Sequence, residues 1–392
     1  MRVILTCNYS PWSSYSGGGQ RSTDNLARAL VRRRHDVTVV FTRPPWERVP
    51  VPADLPYRLC WAGLTTIRGS SPGPLRLTSI LPVARVVARL VRQGGPVVVH
   101  SQGEESAALP SLRRTMKRPF GLVVTPRYPV VPAAILAGAT ATVIQRLRSL
   151  LFDSKYVALG LALRGADFCS PPSAYGARLV QRAYDLRDEQ IEPVHNGVPA
   201  EFLDYRWEPG DGTRPILFFG RFARAKGIDT LLDALLTLGP RGPRAVLVGR
   251  GPAQREIELR IRNAGLGDRV TLHGWADHHT LGKLLCGASM AVLPSREENF
   301  SLAVLSALAV GTPLVTTPVG GTPEVLEHER NGLLVETGDG VALAGAIDRL
   351  IRDPAFAARL GAAGREDVRR EFTWDMTASR FETLYSRTLA AA

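Results

Sequence analysis

The sequence predicts an α/β protein built from two doubly wound parallel-sheet domains that face each other across a cleft. Three observations carry this prediction. The chain has 392 residues, too many for one ordinary core, so two domains of nearly equal size are expected. Short runs of near-continuous Val, Ile and Leu alternate with helical stretches, as in parallel strands covered on both faces. The alternation stops in a turn-rich stretch midway along the chain and then restarts.

In the first half, Val3–Cys7 reads as a strand, Thr23–Arg33 as an amphipathic helix and Asp36–Thr42 as a strand. Leu75–Arg92 reads as a helix, Pro96–His100 as a strand, Glu104–Lys117 as a helix and Gly121–Thr125 as a strand, with further helix over Arg146–Leu163. The stretch from Pro193 to Pro199 and on to Asp211-Gly212-Thr213-Arg214 is rich in turn formers and is the expected linker. Strands then follow at Pro215–Phe219 and Ala245–Val248, helix at Ala253–Ala264, strand at Arg269–Leu272 and helix at His279–Cys286. Strand Ser289–Leu293, helix Leu302–Val310, strand Pro313–Thr316 and helices Gly340–Arg352 and Pro354–Glu371 complete the second half. A break at Phe372-Thr373 precedes a last helix, Trp374–Leu389. The expected domains are therefore 1–198, 199–372 and a C-terminal helix over 373–392.

Composition narrows the class. Hydrophobic content of 45% and charged content of 22% are those of a globular protein. Cys7, Cys60, Cys169 and Cys286 lie far apart without paired spacing, which fits reduced interior thiols in the cytoplasm and argues against a zinc site. Met1-Arg2 leads at once into a strand, so no signal peptide is expected. One long uncharged run, Tyr128–Gln145, holds prolines and threonines and is a poor membrane span.

Charge is unevenly placed. Residues 1–200 carry 26 Lys and Arg against 12 Asp and Glu, whereas residues 201–392 carry 23 against 24. Basic motifs interleaved with aromatics are missing, so no nucleic-acid partner is expected. An anionic membrane surface, an acidic substrate and simple arginine-rich composition all remain open.

Two segments carry the chemistry. Arg221 and Lys226 follow strand Pro215–Phe219 in Gly220-Arg221-Phe222-Ala223-Arg224-Ala225-Lys226-Gly227 and emerge at the ligand edge of the sheet. Fixed cations beside free helix-start amides suit a diphosphate leaving group without a metal, and no Asp-x-Asp motif is suitably placed. In Pro294-Ser295-Arg296-Glu297-Glu298-Asn299-Phe300-Ser301-Leu302, Glu298 would accept from sugar hydroxyls, while the amides of Asn299, Phe300 and Ser301 meet phosphate or sugar oxygens. A helix N-cap served by Glu297 or Glu298 is the competing reading. Gly320-Gly321-Thr322-Pro323-Glu324 is a second turn that would present amides to an anion.

Weaker candidates sit in the first half. Gly17-Gly18-Gly19 forms a flexible loop that superficially suggests a dinucleotide fingerprint. It comes ten residues after Cys7, Ser22 replaces the third glycine, and Phe41-Thr42-Arg43 ends the second strand without an acid, so a dehydrogenase is rejected. His100, before Ser101-Gln102-Gly103-Glu104-Glu105, would contact acceptor or sugar, though a histidine satisfied by backbone is the commoner outcome. Arg127 is similarly placed after strand Gly121–Thr125.

Taken together these residues resemble the retaining glycosyltransferases of family four, which have the GT-B architecture. The series runs from Gly220-Arg221…Lys226-Gly227 through Val248-Gly249-Arg250-Gly251-Pro252, Val270…His273-Gly274-Trp275 and Pro294-Ser295…Glu298-Asn299-Phe300. It continues to Gly311-Thr312-Pro313, Gly320-Gly321…Glu324 and Asn331-Gly332-Leu333. The resemblance implies two Rossmann-like domains, the last helix returning to the first. It implies that Arg221 and Lys226 clamp the donor diphosphate, that Glu298 holds the sugar, and that residues around Gly274 meet the base. The Gly17–Gly19 loop would close over the phosphates, with Ser301 and Leu302 at the helix start also lining the donor. A metal-independent transfer from a nucleoside-diphosphate sugar to an acceptor hydroxyl is implied, in glycoconjugate or natural-product biosynthesis, with no cofactor.

The chain departs from that pattern twice. The family's second glutamate, with seven residues between it and the first, is Ser306 here, a loss worth about 1.5–3 kcal/mol of nucleotide affinity if a charge-assisted bond to ribose is missing. A histidine usual after the strand matching Gly121–Thr125 is replaced by Arg127, which cannot act as a base but would hold phosphate or sugar oxygens. A non-catalytic partner of an active transferase is therefore the alternative. The acceptor is open between a soluble small molecule and a lipid-linked one, the latter received by an amphipathic surface over Tyr128–Leu163 at an anionic membrane.

Overall fold

The protein is described by a computed structural model covering residues 1–14, 16–64, 77–116, 120–127, 154–210 and 213–390. Two compact units are present, one of Met1–His195 with Trp374–Ala392 and one of Asn196–Thr373.

The sheet of the first unit contains β1 (Arg2–Cys7), β2 (Asp36–Arg43), β3 (Arg58–Gly63), β4 (Val97–Ser101), β5 (Gly121–Val124) and β6 (Phe168–Cys169). Its order is β3-β2-β1-β4-β5-β6, every neighbouring pair parallel. The central strands are apolar on both faces because both faces are covered. Val83, Val87, Leu159 and Val180 pack on one side; Leu26, Leu30, Phe381 and Leu384 pack on the other. The C-terminal helix Trp374–Ala390 is thus part of this core. Gly121 leaves room for it, since a Cβ there would stand 2.4 Å from Thr388.

In the second unit, β7 (Ile216–Phe219), β8 (Ala245–Val248), β9 (Val270–Gly274), β10 (Met290–Leu293), β11 (Leu314–Thr316) and β12 (Leu333–Leu334) form a sheet ordered β12-β11-β10-β7-β8-β9. All its pairs are parallel too. Helix Leu302–Val310 is apolar nearly all round and is buried from Val304 to Val310, as a helix without a polar face must be. The strand order reverses between β1 and β4 in one unit and between β7 and β10 in the other. Such a reversal opens a crevice beyond the carboxyl ends of the strands.

Some expected elements are revised. Helix Gly18–Arg32 starts five residues before the expected Thr23, so Gly18 and Gly19 form its first turn instead of a loop. Gln20 secures that start: its Oε1 accepts from the Gly17 amide at 3.0 Å, and its Nε2 donates to the Asn8 carbonyl at 2.7 Å. The helix expected over Glu104–Lys117 divides into a 3₁₀ turn, Glu104–Ser106, and helix Leu109–Thr115, because Pro110 fits only a first turn. Strands β3, β6 and β12 and helices Ala174–Tyr184 and Ile228–Thr237 are additional to the expected set. Two-residue strands such as β6 and β12 carry no periodicity to detect.

The expected segments at 75–76, Lys117, and Tyr128 to residue 153 lie outside the described residues. Among the described residues no helix is long and apolar enough to cross a membrane. All four cysteines are free. Cys7 and Cys169 are buried, and burial pushes both thiols up. Cys60 and Cys286 are only partly buried, so the expectation of interior thiols fails for these two.

Candidate functional site

In the second unit the two loops leaving β7 and β10 carry the cations and the carboxylate. Lys226 Nζ lies 2.5 Å from Glu298 Oε1. The same oxygen accepts from Ser295 Oγ at 2.9 Å and from Ser301 Oγ at 3.4 Å. The two charged side chains keep 27% and 12% of their exposure, so the pair is screened less than a surface ion pair would be.

Backbone contacts fix the approach of the two loops. The Arg296 and Glu297 amides both donate to the Ala225 carbonyl, at 2.7 and 3.3 Å. Gly227 has φ +63, and a Cβ there would stand 1.9 Å from the Pro294 carbonyl oxygen. Only glycine satisfies both constraints. Arg296 turns away, its guanidinium 2.5 Å from Asp229. Arg221 is exposed and makes no hydrogen bond or ion pair among the described residues. It is therefore available to an anionic ligand.

The helix after Glu298 is capped by Ser301, whose side chain accepts from the Val304 amide at 3.4 Å. Neither Glu297 nor Glu298 serves as the cap, so the competing reading of Glu298 falls away. The Gly320-Gly321 turn also differs from expectation. The Gly321 amide donates to the Asn299 carbonyl at 2.8 Å, and a Cβ on Gly320 would stand 2.0 Å from the Glu298 carbonyl oxygen. This turn braces the Glu298 backbone instead of offering that amide to an anion.

The remaining candidates of this unit are placed as follows. Phe300 is buried, its ring centroid 6.3 Å from that of Phe372, and it anchors the loop. Leu302 starts the helix half-buried. Ser306 is buried and its hydroxyl donates to the Leu302 carbonyl at 2.9 Å, a bond within its own helix. Gly274 ends β9 with φ +79, and its carbonyl accepts from the Gly249 amide at 2.6 Å.

At the reversal of the first unit lies a buried polar cluster that sequence reasoning missed. Glu105 Oε1 accepts from Ser101 Oγ at 2.8 Å, from Thr6 Oγ1 at 3.0 Å and from the Gln102 amide at 3.0 Å. Glu104 Oε1 accepts from Asn8 Nδ2 at 3.1 Å. Burial, then the charge of Glu104, raises the Glu105 carboxyl to about 7. The signal in the sequence was a polar run directly after a buried strand, but two adjacent acids read as an exposed helix start. Arg127 Nε donates to Gln102 Oε1 at 2.7 Å, and its stem lies 3.5 Å from where a Cβ on Gly19 would stand. Burial lowers its guanidinium to about 10.

His100 is corrected from a ligand contact to a core residue. It is fully buried, with Nδ1 2.6 Å from the Tyr385 hydroxyl and Nε2 2.7 Å from Thr125 Oγ1. Both nitrogens are engaged, and burial lowers its pKa well below the ordinary histidine value. It ties β4 to the C-terminal helix.

Two parallel sheets, each reversing at its centre, with a cation–carboxylate pair at one reversal, define a doubly wound α/β protein with a candidate ligand site at that reversal. The family model for "Glycosyl transferases group 1" matches residues 203–367, and the "Glycosyltransferase Family 4" model matches residues 16–202. The alpha-D-kanosaminyltransferase of Streptomyces kanamyceticus is 30% identical over 293 residues, 72% of this chain and 75% of that protein. The chain belongs to the family-four glycosyltransferases. In several other alignments with curated relatives it spans about half of the relative's length. Its fold is GT-B. Sucrose-phosphate synthase from Thermosynechococcus elongatus superposes over the whole of both chains with a TM-score of 0.79 at 24% identity. Anabaena HepE, solved in complex with UDP, superposes with a TM-score of 0.75 at 20% identity over 98% of this chain and 100% of that one.

Proposed function

We propose that the chain moves a sugar from a nucleoside-diphosphate sugar to an acceptor hydroxyl, with retained anomeric configuration and without a metal. The observation that carries this reading is Arg221, exposed and without a partner among the described residues, on the loop whose Lys226 pairs with Glu298 at the β7/β10 reversal. The solved complexes of HepE with UDP and with UDP-glucose support a nucleotide-sugar donor.

Arg221 would receive the diphosphate first, its planar guanidinium matching two phosphate oxygens. Lys226, held by Glu298 until then, would turn part of its charge toward the leaving group as negative charge develops there. Glu298 would keep one oxygen on Lys226 and the serines while its other oxygen accepts from a sugar hydroxyl. The unbonded amides at the start of helix Leu302–Val310 would add positive potential.

Turnover of donor sugar with product analysis tests this. Arg221→Ala or Lys226→Ala should each lower turnover by about a hundredfold or more. Near-normal turnover in both would refute the clamp. Anomeric analysis of the product tests retention, and activity in excess EDTA tests metal independence. One observation favours the alternative of a non-catalytic partner: the Ser306 hydroxyl is buried on its own helix. Folded protein that binds no nucleotide would establish that alternative.

A further inference from the structure

A cavity of about 880 Å³ lies in the second unit between the segment at Arg206–Pro209 and helix Pro354–Glu371. Gly311, which also lines it, lies three residues before the start of β11, and the Trp207 amide donates to the Val310 carbonyl at 2.8 Å. The cavity therefore lies at the amino ends of the strands, at the opposite edge of the sheet from Arg221 and Glu298.

Four arginines line it together with Glu208 and Glu366: Arg370 is held by Asp367 and Glu371, and Arg206, Arg365 and Arg369 are the remaining three. Arg365 donates to the carbonyls of Leu203, Tyr205 and Ala309, and Arg369 to that of Leu203. Carbonyls hold these groups in place without neutralising them. No carboxylate pairs with any of the three among the described residues, and Arg206 makes no side-chain bond there at all. Neighbouring arginines differ: Arg330, Arg349 and Arg370 all sit on carboxylates. Burial first, and then the charges of Arg369 and Arg206, lower the pKa of Arg365. Trp207 stands alongside, its ring fixed by a 2.7 Å bond from Nε1 to the Ala288 carbonyl.

Pre-positioned, unpaired guanidiniums in a cavity of this size recognise phosphate oxygens, and a fixed indole face suits a sugar or glycerol body. We propose that this cavity binds a phosphate ester, with the three arginines on the phosphate and Trp207 against the attached body. The shared chemistry is the phosphate, carried by a soluble sugar phosphate or by a phospholipid headgroup. Helix Leu302–Val310 has one end at each site: Ser301 beside Glu298, and the Ala309 carbonyl on Arg365.

The test is calorimetric titration of the full chain with glucose 6-phosphate, and co-sedimentation with vesicles containing phosphatidic acid. Both are run on the unaltered chain, Arg221→Ala, Arg206→Glu and Arg369→Gln. Arg206 is exposed and unbonded, so its replacement should leave the melting temperature unchanged. Saturable binding of either probe is expected, retained in Arg221→Ala and weakened about tenfold or more by Arg206→Glu. Binding of the sugar phosphate identifies a soluble ligand, and binding of vesicles alone a headgroup. Failure of both probes overturns the proposal. So does binding that survives Arg206→Glu and Arg369→Gln, or that is lost only in Arg221→Ala.

Discussion

Glu298 holds the Lys226 ammonium at 2.5 Å with the same carboxylate oxygen that accepts from Ser295 and Ser301. One oxygen thus takes three donors, and the other is left for a ligand. The contact joins loops 72 residues apart in sequence, at the one place in this sheet where strand order reverses.

The two cations of this site should separate in a stability measurement. Lys226→Met leaves a partly buried carboxylate short of its charged partner and should cost about 1–3 kcal/mol. Arg221→Ala removes an exposed, unbonded side chain and should leave the denaturant midpoint unchanged. Equal midpoints for the two variants would show that the ion pair does not hold the loops.

Gly227→Ala should disturb the same site through the backbone. The left-handed conformation costs a side-chain-bearing residue about 1–2 kcal/mol, and the new Cβ would press on the Pro294 carbonyl. The Glu298 loop must then move away from Lys226. Calorimetry should show both lower stability and weaker nucleotide binding; normal binding would mean that the loop spacing is not what the site requires.

Ser306→Glu would place a carboxylate where the family usually has one. A recovered charge-assisted bond to ribose would tighten nucleotide binding about tenfold or more. Unchanged affinity in a folded variant would show that ribose is held elsewhere in this chain.

Stability should carry an opposed pair of titrations. The Glu105 carboxyl stays protonated in the folded chain up to about 7, whereas an ordinary glutamate ionises near 4.5. Between those values the folded state binds more protons, so this group lowers stability as pH rises. Buried neutral His100 acts oppositely: below the ordinary histidine value of 6.5 the unfolded chain gains a proton that the folded chain does not, so stability falls as pH drops. Glu105→Gln removes the first effect. Its denaturant midpoint should rise more steeply than the unaltered chain's from about pH 5 to about pH 7.5. Identical profiles would mean that Glu105 is ionised throughout.

The sequence was most legible where burial forces a uniform pattern. Strands such as Gly121–Val124 and Met290–Leu293 are buried throughout, so their residues could only be apolar or small. Arg221, Lys226 and Glu298 stand out as candidates because each follows such a strand, and the family resemblance supplies their order. Ser295 was visible beside Glu298 but had no marker of its role. The Glu104–Glu105 cluster was hidden because its burial depends on Thr6, Asn8 and Ser101, which lie on two separate strand ends. Helix Ile228–Thr237 was overlooked because its N-cap, Gly227, reads as the end of a loop.

The most direct test of the central claim is thermal unfolding with UDP, GDP, ADP or dTDP in the presence of EDTA, on the unaltered chain and on Arg221→Ala. A working donor site predicts that one nucleotide raises the melting temperature without metal and that Arg221→Ala abolishes the rise. A well-folded chain that none of the four stabilises would contradict the claim.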